Sequence, residues 1–448
     1  MSKPIYERPA IVRHAMGMMN KLGRALAQRP MTHIDGVSID ELVARYGSPV
    51  FVFSERTLVE RYRELHDAFS RRWPKVRIAW SYKTNYLSGI CKTFHKEGAW
   101  AEVVSPYEWE KAVHLGVPTD HIHWNGPFKP EDTLEKALLG GTMVHIDHFD
   151  ELASIERIAE RNGIRPKVAI RVNLSTDTVQ GWSRFGFNLE SGQARDAALR
   201  IAANDKLELV GLHCHLGTFI QDVDAYRQAA HKLAQFANEL RAAHGTRIQF
   251  IDVGGGFASQ NTLKAQYLPS EQATPPFSRY AEAIVDGLSA LEAPPSELPT
   301  LVLETGRALV DEAGYLVTSV IANKRLPDGR RGVVIDAGVN VLFTAFWYRH
   351  DVVPTRELRG MPEPTVLFGP LCMNIDEVRE TMQLPQLSVG DRLVLKNVGA
   401  YNVTQWMQFI TYRPAVVMIG QNGQHALLRR AESLGDVMAL EEVPGFLS

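Results

Sequence analysis

Between residues 50 and 305 the chain alternates short apolar, β-branched runs with longer stretches whose apolar residues recur every three or four positions. The runs at 76–82, 101–104, 121–124, 142–147, 167–173, 209–215, 247–253 and 300–304 predict strands. The intervening patterns at 130–139, 150–162, 194–204, 222–244 and 277–291 predict amphipathic helices. Strands separated by helices argue for a parallel sheet, because a parallel neighbour needs a long crossover. Eight such units predict closure into a (β/α)8 barrel. The rival is a doubly wound sheet, but its dinucleotide fingerprint is incomplete: Gly254, Gly255 and Gly256 are followed by Ser259 where the third fingerprint glycine belongs.

Beyond about residue 310 the helical period fades. Segments 316–322, 332–336, 365–368, 392–396 and 415–419 read as strands set between Pro, Gly and Asp turns. The expected organisation is an α/β barrel over 50–310 and a second, mainly β domain formed by 311–448 with the short stretch 1–49.

A barrel of this kind carries its chemistry at the C-terminal ends of its strands. The residues ending the predicted strands are Lys83, Glu102, Asn125, Asp147, Asn173, His215, the glycines from Gly254, and Glu304. A lysine past a strand end is ordinarily a surface residue, but one held at a barrel mouth is desolvated, its pKa falls, and it can form a Schiff base. The glycines after strand seven let backbone N–H groups approach an anion, and Gly306-Arg307 follow strand eight, so these two loops predict a phosphate site. His213 and His215 share one strand face, as do His121 and His123. Hydrogen-bonded core histidines, metal ligands and a ring stacked on a cofactor are all open for them. The sequence shows no obvious carboxylate set to complete a metal site. Cys372, in a Gly-Pro turn, reads by itself as a small apolar residue.

Composition narrows the class. With 448 residues, 45% hydrophobic and 22% charged, the chain is long enough for two cores. A formal net charge of -2 gives no pointer to nucleic acid or an anionic membrane. No segment approaches the ~20 apolar residues of a membrane span, and charges break every apolar stretch of residues 1–30, against a signal peptide. Three widely spaced cysteines predict reduced thiols, and with them a soluble cytoplasmic protein.

The order Ser81-Tyr82-Lys83-Thr84-Asn85, His213-Cys214-His215-Leu216-Gly217-Thr218, Asp252-Val253-Gly254-Gly255-Gly256-Phe257, Leu303-Glu304-Thr305-Gly306-Arg307, Gly369-Pro370-Leu371-Cys372 and Gly399-Ala400-Tyr401 resembles the fold-type III pyridoxal-phosphate decarboxylases over roughly residues 45–415. The resemblance implies pyridoxal 5'-phosphate as cofactor, covalently linked to Lys83, with His215 stacked on its ring. It implies Glu304 at the pyridine nitrogen, which a carboxylate keeps protonated. Gly255, Gly256, Gly306, Arg307 and Tyr401 would surround the phosphate, with Arg307 alternatively on the substrate carboxylate. Cys372 would reach across a homodimer interface to protonate the carbanion, so that the β-rich domain completes a shared site. No metal is implied. Alanine racemases share the barrel but carry arginine where Glu304 stands.

Three positions depart from the diaminopimelate decarboxylase pattern, one of them Thr305 in place of the proline of Glu-Pro-Gly-Arg, which nothing in the sequence explains; the other two lie in the distal pocket. Met373 replaces the glutamate after the cysteine, and Thr344, in the segment running to Tyr348, replaces an arginine. Loss of one anion and one cation from the distal pocket argues against a zwitterionic distal end on the substrate. The expectation is therefore decarboxylation of a non-standard or conjugated amino acid, in siderophore or other secondary metabolism, with Arg307, Thr344, Tyr348 and Met373 in the substrate pocket. Diaminopimelate decarboxylase is the alternative; a racemase, a barrel metallohydrolase using His213 and His215, and a non-catalytic relative are the lesser rivals.

Overall fold

The computed structural model describes residues 29–447; the reading of residues 1–28 lies outside them. Eight parallel strands close into a barrel: β1 (Val76–Ser81), β2 (Trp100–Val103), β3 (Ile122–Trp124), β4 (Met143–Ile146), β5 (Lys167–Asn173), β6 (Glu208–His213), β7 (Phe250–Asp252) and β8 (Thr300–Leu303). The ring shuts through β8 against β1 and through β6 against β5. Each lies on a predicted run, because strands buried on both faces are written as short uninterrupted apolar segments. The doubly wound alternative is excluded by this closure.

The interior is layered. Ala79, Ala169, Val210, Phe250 and Val302 cluster with Trp100 and Met143, so seven strands each send an apolar side chain into one layer. The remaining strand, β3, sends His123, whose ring packs against Phe250 and Trp100. Side chains two residues further along a strand point the same way. They give a second, polar layer nearer the mouth: Ser81, Glu102, Asn125, His145, Arg171, Asp252 and Glu304. Strand β6 joins it through an irregularity between Leu209 and Gly211, which pairs His213 with Arg171.

The second domain is built on Gly314–Arg325, a strand long enough to pair with Val50–Ser54, Arg331–Ile335 and Arg392–Lys396. Val50–Ser54, which the periodicity places at the start of the barrel unit, is thus a strand of this second sheet, where it also pairs with Ala415–Ile419. The helix Ile39–Tyr46 packs on the same sheet, with Ile39 and Leu42 in a cluster with Val50, Val52, Val317, Val394 and Val417. Among the described residues no helix is long and apolar enough to cross a membrane.

The two domains are tied at the barrel mouth. The buried Asp311 accepts from Ser259 Oγ (2.5 Å), Asn261 Nδ2 (2.7 Å) and the Ala400 N–H (3.1 Å). Asn85 Nδ2 donates to the Gly399 carbonyl (3.1 Å), and the Tyr401 N–H to the Thr84 carbonyl (2.8 Å). Tyr401 takes a left-handed backbone (φ 62°), a strained geometry for a tyrosine that these bonds hold in place.

Candidate active site

Lys83 follows β1 at the mouth. Its Nζ lies 3.1 and 3.2 Å from the two oxygens of Glu102, which ends β2 and is fully buried. Desolvation works against the ammonium, yet Glu102, then Tyr401 and Glu304, outweigh it and hold the lysine above its ordinary range. This reverses the expected lowering: two carboxylates share the mouth with the lysine, and their field exceeds the desolvation cost.

Below Lys83, Asn125 Nδ2 donates to Glu102 Oε1 (3.1 Å) and Glu304 Oε1 (2.5 Å), joining the two carboxylates. Glu304 Oε2 lies 3.2 Å from His213 Nε2. Burial tends to raise the Glu304 carboxyl, but His213, then His145 and Lys83, bring it well below the carboxylate range, so it is ionised. His215 stands at the mouth and accepts from the Gly255 N–H through Nδ1 (3.2 Å). Burial, then the neighbouring Lys83 and Arg171, push its imidazole well below the usual range, so the ring is neutral.

The glycine run fits closely against this wall. A Cβ on Gly255 would fall on the Glu304 carbonyl, one on Gly256 (φ 90°) on the Gly217 carbonyl, and one on Gly306 on the Thr84 hydroxyl. Only residues without a side chain can pack here. Arg307 begins a short turn of helix after β8. Its guanidinium stacks 4.8 Å from the Tyr348 and Tyr401 ring centres, with Nη1 3.5 Å from Asp311. Among the described residues its buried Nε and Nη1 have no hydrogen-bond partner. Burial raises the Tyr348 hydroxyl, so it stays protonated.

Together Lys83, His215, Gly256, Glu304, Gly306, Arg307, Thr344, Tyr348 and Tyr401 line one cavity of about 430 Å³, within the range of small-molecule sites. Its lining also includes Trp182, Phe219, Leu263, Trp347 and Gln405, side chains to which the sequence reading gave no role. Asn173 contributes indirectly: its amide donates to the carbonyls of Trp182 (2.6 Å) and Phe185 (3.1 Å), fixing the loop that carries Trp182.

Thr344 reaches the cavity, but its hydroxyl is held by His350 Nε2 (2.8 Å) and donates to Asn402 Oδ1 (2.9 Å), so it is a packed structural group. Cys372 is exposed and, with Met373, sits on a turn organised by Asp376, outside the cavity of its own chain. His213 and His215 do not act as a pair, since His213 faces Glu304 and His215 the glycine run. His121 stacks on Trp100 (4.4 Å) while His123 enters the barrel, so the second pair also divides.

A lysine amine, a neutral imidazole face, an ionised carboxylate, and a glycine-lined wall beside a guanidinium with unused donors fit a phosphorylated pyridine aldehyde. The arrangement defines a lysine-anchored cofactor enzyme on a (β/α)8 barrel. Residues 55–311 match the family described as pyridoxal-dependent decarboxylase, pyridoxal binding domain, and the chain belongs to this family of pyridoxal-phosphate-dependent amino-acid decarboxylases. It is 29% identical over 424 residues to the diaminopimelate decarboxylase of Methanothermobacter thermautotrophicus, covering 92% of this chain and 96% of that one. The Aquifex aeolicus diaminopimelate decarboxylase is 27% identical over 409 residues, with 89% and 93% covered. The crystal structure of the M. jannaschii diaminopimelate decarboxylase in co-complex with L-lysine superposes with a TM-score of 0.83 at 28% identity, covering 93% of this chain and 97% of that one.

Proposed function

We propose that this decarboxylase removes the α-carboxylate of diaminopimelate or a close analogue, with Lys83 as the anchor of pyridoxal phosphate. One observation carries the reading: Lys83, Glu304 and Arg307 converge on a single cavity of about 430 Å³. When bound, the cofactor supplies the electron sink for the pair left on Cα as carbon dioxide departs. Glu102, 3.1 Å from Lys83 Nζ, fixes where the amine that would anchor the cofactor sits. The neutral His215 would offer a ring face to the cofactor, and the ionised Glu304 would favour a protonated pyridine nitrogen. Gly255, Gly256, Gly306 and Tyr401 would hold the phosphate. Arg307, with its unused N–H donors, binds either that phosphate or the substrate carboxylate. Cys372 acts as proton donor to Cα from the partner subunit of a homodimer, which accounts for its exposure here.

The near full-length similarity to diaminopimelate decarboxylases puts that substrate ahead of the conjugated amino acid expected from Met373 and Thr344. The second reading, a non-standard or conjugated amino acid of siderophore or other secondary metabolism, keeps one specific support. The charged side chains lining the cavity are Lys83, Glu304 and Arg307, and its outer wall is Trp182, Phe219, Leu263 and Trp347. Carbon dioxide release from meso-diaminopimelate, lysine, ornithine and citrate-conjugated diamino acids separates the readings. Preference for diaminopimelate with lysine as product supports the first, and at least ~100-fold preference for a conjugate supports the second. Failure of every α-amino acid with cofactor bound would sink both.

A further inference from the structure

Beneath the carboxylate assigned to the pyridine nitrogen lies a buried array that the reaction as described does not use. The donor atoms of His123, His145, Asp252 and Glu304 lie within 4.8 Å of one another, and all four side chains are buried. The rings continue as a column, with His123 and His145 centred 5.0 Å apart and His145 and His213 4.8 Å apart. The column ends on Glu304, where His213 Nε2 stands 3.2 Å from Oε2.

Two carboxylates this close inside a barrel do not both ionise. Asp252 Oδ1 is fixed by the Gly254 N–H at 2.8 Å, while Oδ2 lies 3.7 Å from His123 Nδ1 without a hydrogen bond. A proton on Oδ2 gives that oxygen a donor role toward Glu304. Burial and the Glu304 charge both favour this protonated form of Asp252, whereas Glu304 faces His213, His145 and Lys83 and keeps its charge. The groups facing Glu304 are then Asp252 from β7, His213 from β6, His145 from β4, His123 and Asn125 from β3, and Lys83 and Glu102 at the mouth. The irregularity in β6 is what brings His213 into this layer.

We propose that Asp252 and Glu304 share a single proton resident on Asp252, and that Asp252 and His213 are positioning residues that keep Glu304 ionised and aimed at the mouth. The proposal rests on Glu304 serving the cofactor's ring nitrogen. It gives the strand-end aspartate of the Asp252-Val253-Gly254-Gly255-Gly256 run a role distinct from the phosphate wall beside it.

The holoenzyme provides the test. Asp252→Asn is nearly isosteric and carries no proton-bearing carboxyl. Wild-type-minus-variant infrared spectra are expected to show a carboxylic-acid carbonyl band, and its absence overturns the shared proton. The visible absorption of bound cofactor reports the hold on the ring nitrogen. His213→Leu and Asp252→Ala are expected to shift that absorption and to lower kcat at least ~10-fold with KM changed less than ~2-fold. His213→Gln, which keeps an N–H near the Nε2 position, is expected to restore both. Glu304→Gln calibrates the shift. If it leaves the absorption unmoved, the role of Glu304 itself fails. If it moves the absorption while His213→Leu and Asp252→Ala do not, the positioning proposal alone is overturned.

Discussion

Arg307 concentrates the energetics of the site at one residue. Its guanidinium is buried between two tyrosine rings, with Nη1 3.5 Å from Asp311 and, among the described residues, no hydrogen bond from Nε or Nη1. Replacing it by lysine keeps the charge but loses the planar stack and the fork of donors. Arg307→Lys is therefore expected to weaken cofactor or substrate binding ~10- to 100-fold, read as a rise in KM or in the cofactor dissociation constant. Thr344 behaves differently. Its hydroxyl is committed to His350 and Asn402, and burial holds the His350 imidazole down at about 3. Thr344→Val leaves that buried imidazole and the Asn402 carbonyl without their hydroxyl partner, an expected loss of about 1–3 kcal/mol in unfolding free energy. Thr344→Arg, restoring the family's cation, is expected to overpack the same spot before it changes specificity.

Among elements, the strap 397–401 and the Asp311 turn decide whether the mouth holds its shape. Asp311→Ala strands Ser259, Asn261 and the Ala400 N–H together, and is expected to lower unfolding free energy by about 2–4 kcal/mol. Urea denaturation checks this, and Asp311→Asn should recover part of the loss. These long-range ties also mark where sequence reading stops. The barrel strands were legible because a doubly buried strand is written locally, and helix faces because their period is local. Val50–Ser54 carries the same apolar signature, but its partners lie at 314–317 and 415–419, and no local pattern encodes them. The strands Glu377–Leu384 and His425–Arg429 were missed because their exposed residues dilute the alternation. In the site, Lys83, His215, the glycines, Glu304 and Arg307 were readable as strand ends and motifs. The strand-end rule also picked out Glu102 and Asn125, but gave them no task. Trp182, Phe219 and Trp347 come from loops whose path depends on contacts such as those of Asn173, so only the fold reveals them.

At the scale of the whole molecule, the barrel stores buried neutral histidines, and this sets an acid limit on stability. Burial pushes the His123 imidazole down to about 4 and His145 well below its usual value. The unfolded chain takes up those protons near pH 6.5 while the folded chain does not. Their contribution is fully present above pH 6.5 and is lost as pH falls toward 4, by up to about 3 kcal/mol for His123. The Asp252 carboxyl, raised by burial and by the Glu304 charge, acts in the opposite sense: its contribution is fully present below about pH 4 and is lost as pH rises. The check is therefore a difference: His123→Phe is expected to flatten the fall in urea midpoint between pH 6.5 and 4 relative to wild type. Exposure of Cys372 outside its own chain's cavity sets a second test. Mixing Lys83→Ala and Cys372→Ala chains is expected to restore up to about a quarter of wild-type activity, since half of random dimers regain one of two sites. No recovery would place both residues in one chain's site. Lys83 itself gives the most direct test. Borohydride reduction of the holoenzyme, followed by peptide mass spectrometry, should find the reduced cofactor on the peptide bearing Lys83. Its attachment to any other lysine, or to none, would contradict Lys83 as the anchor.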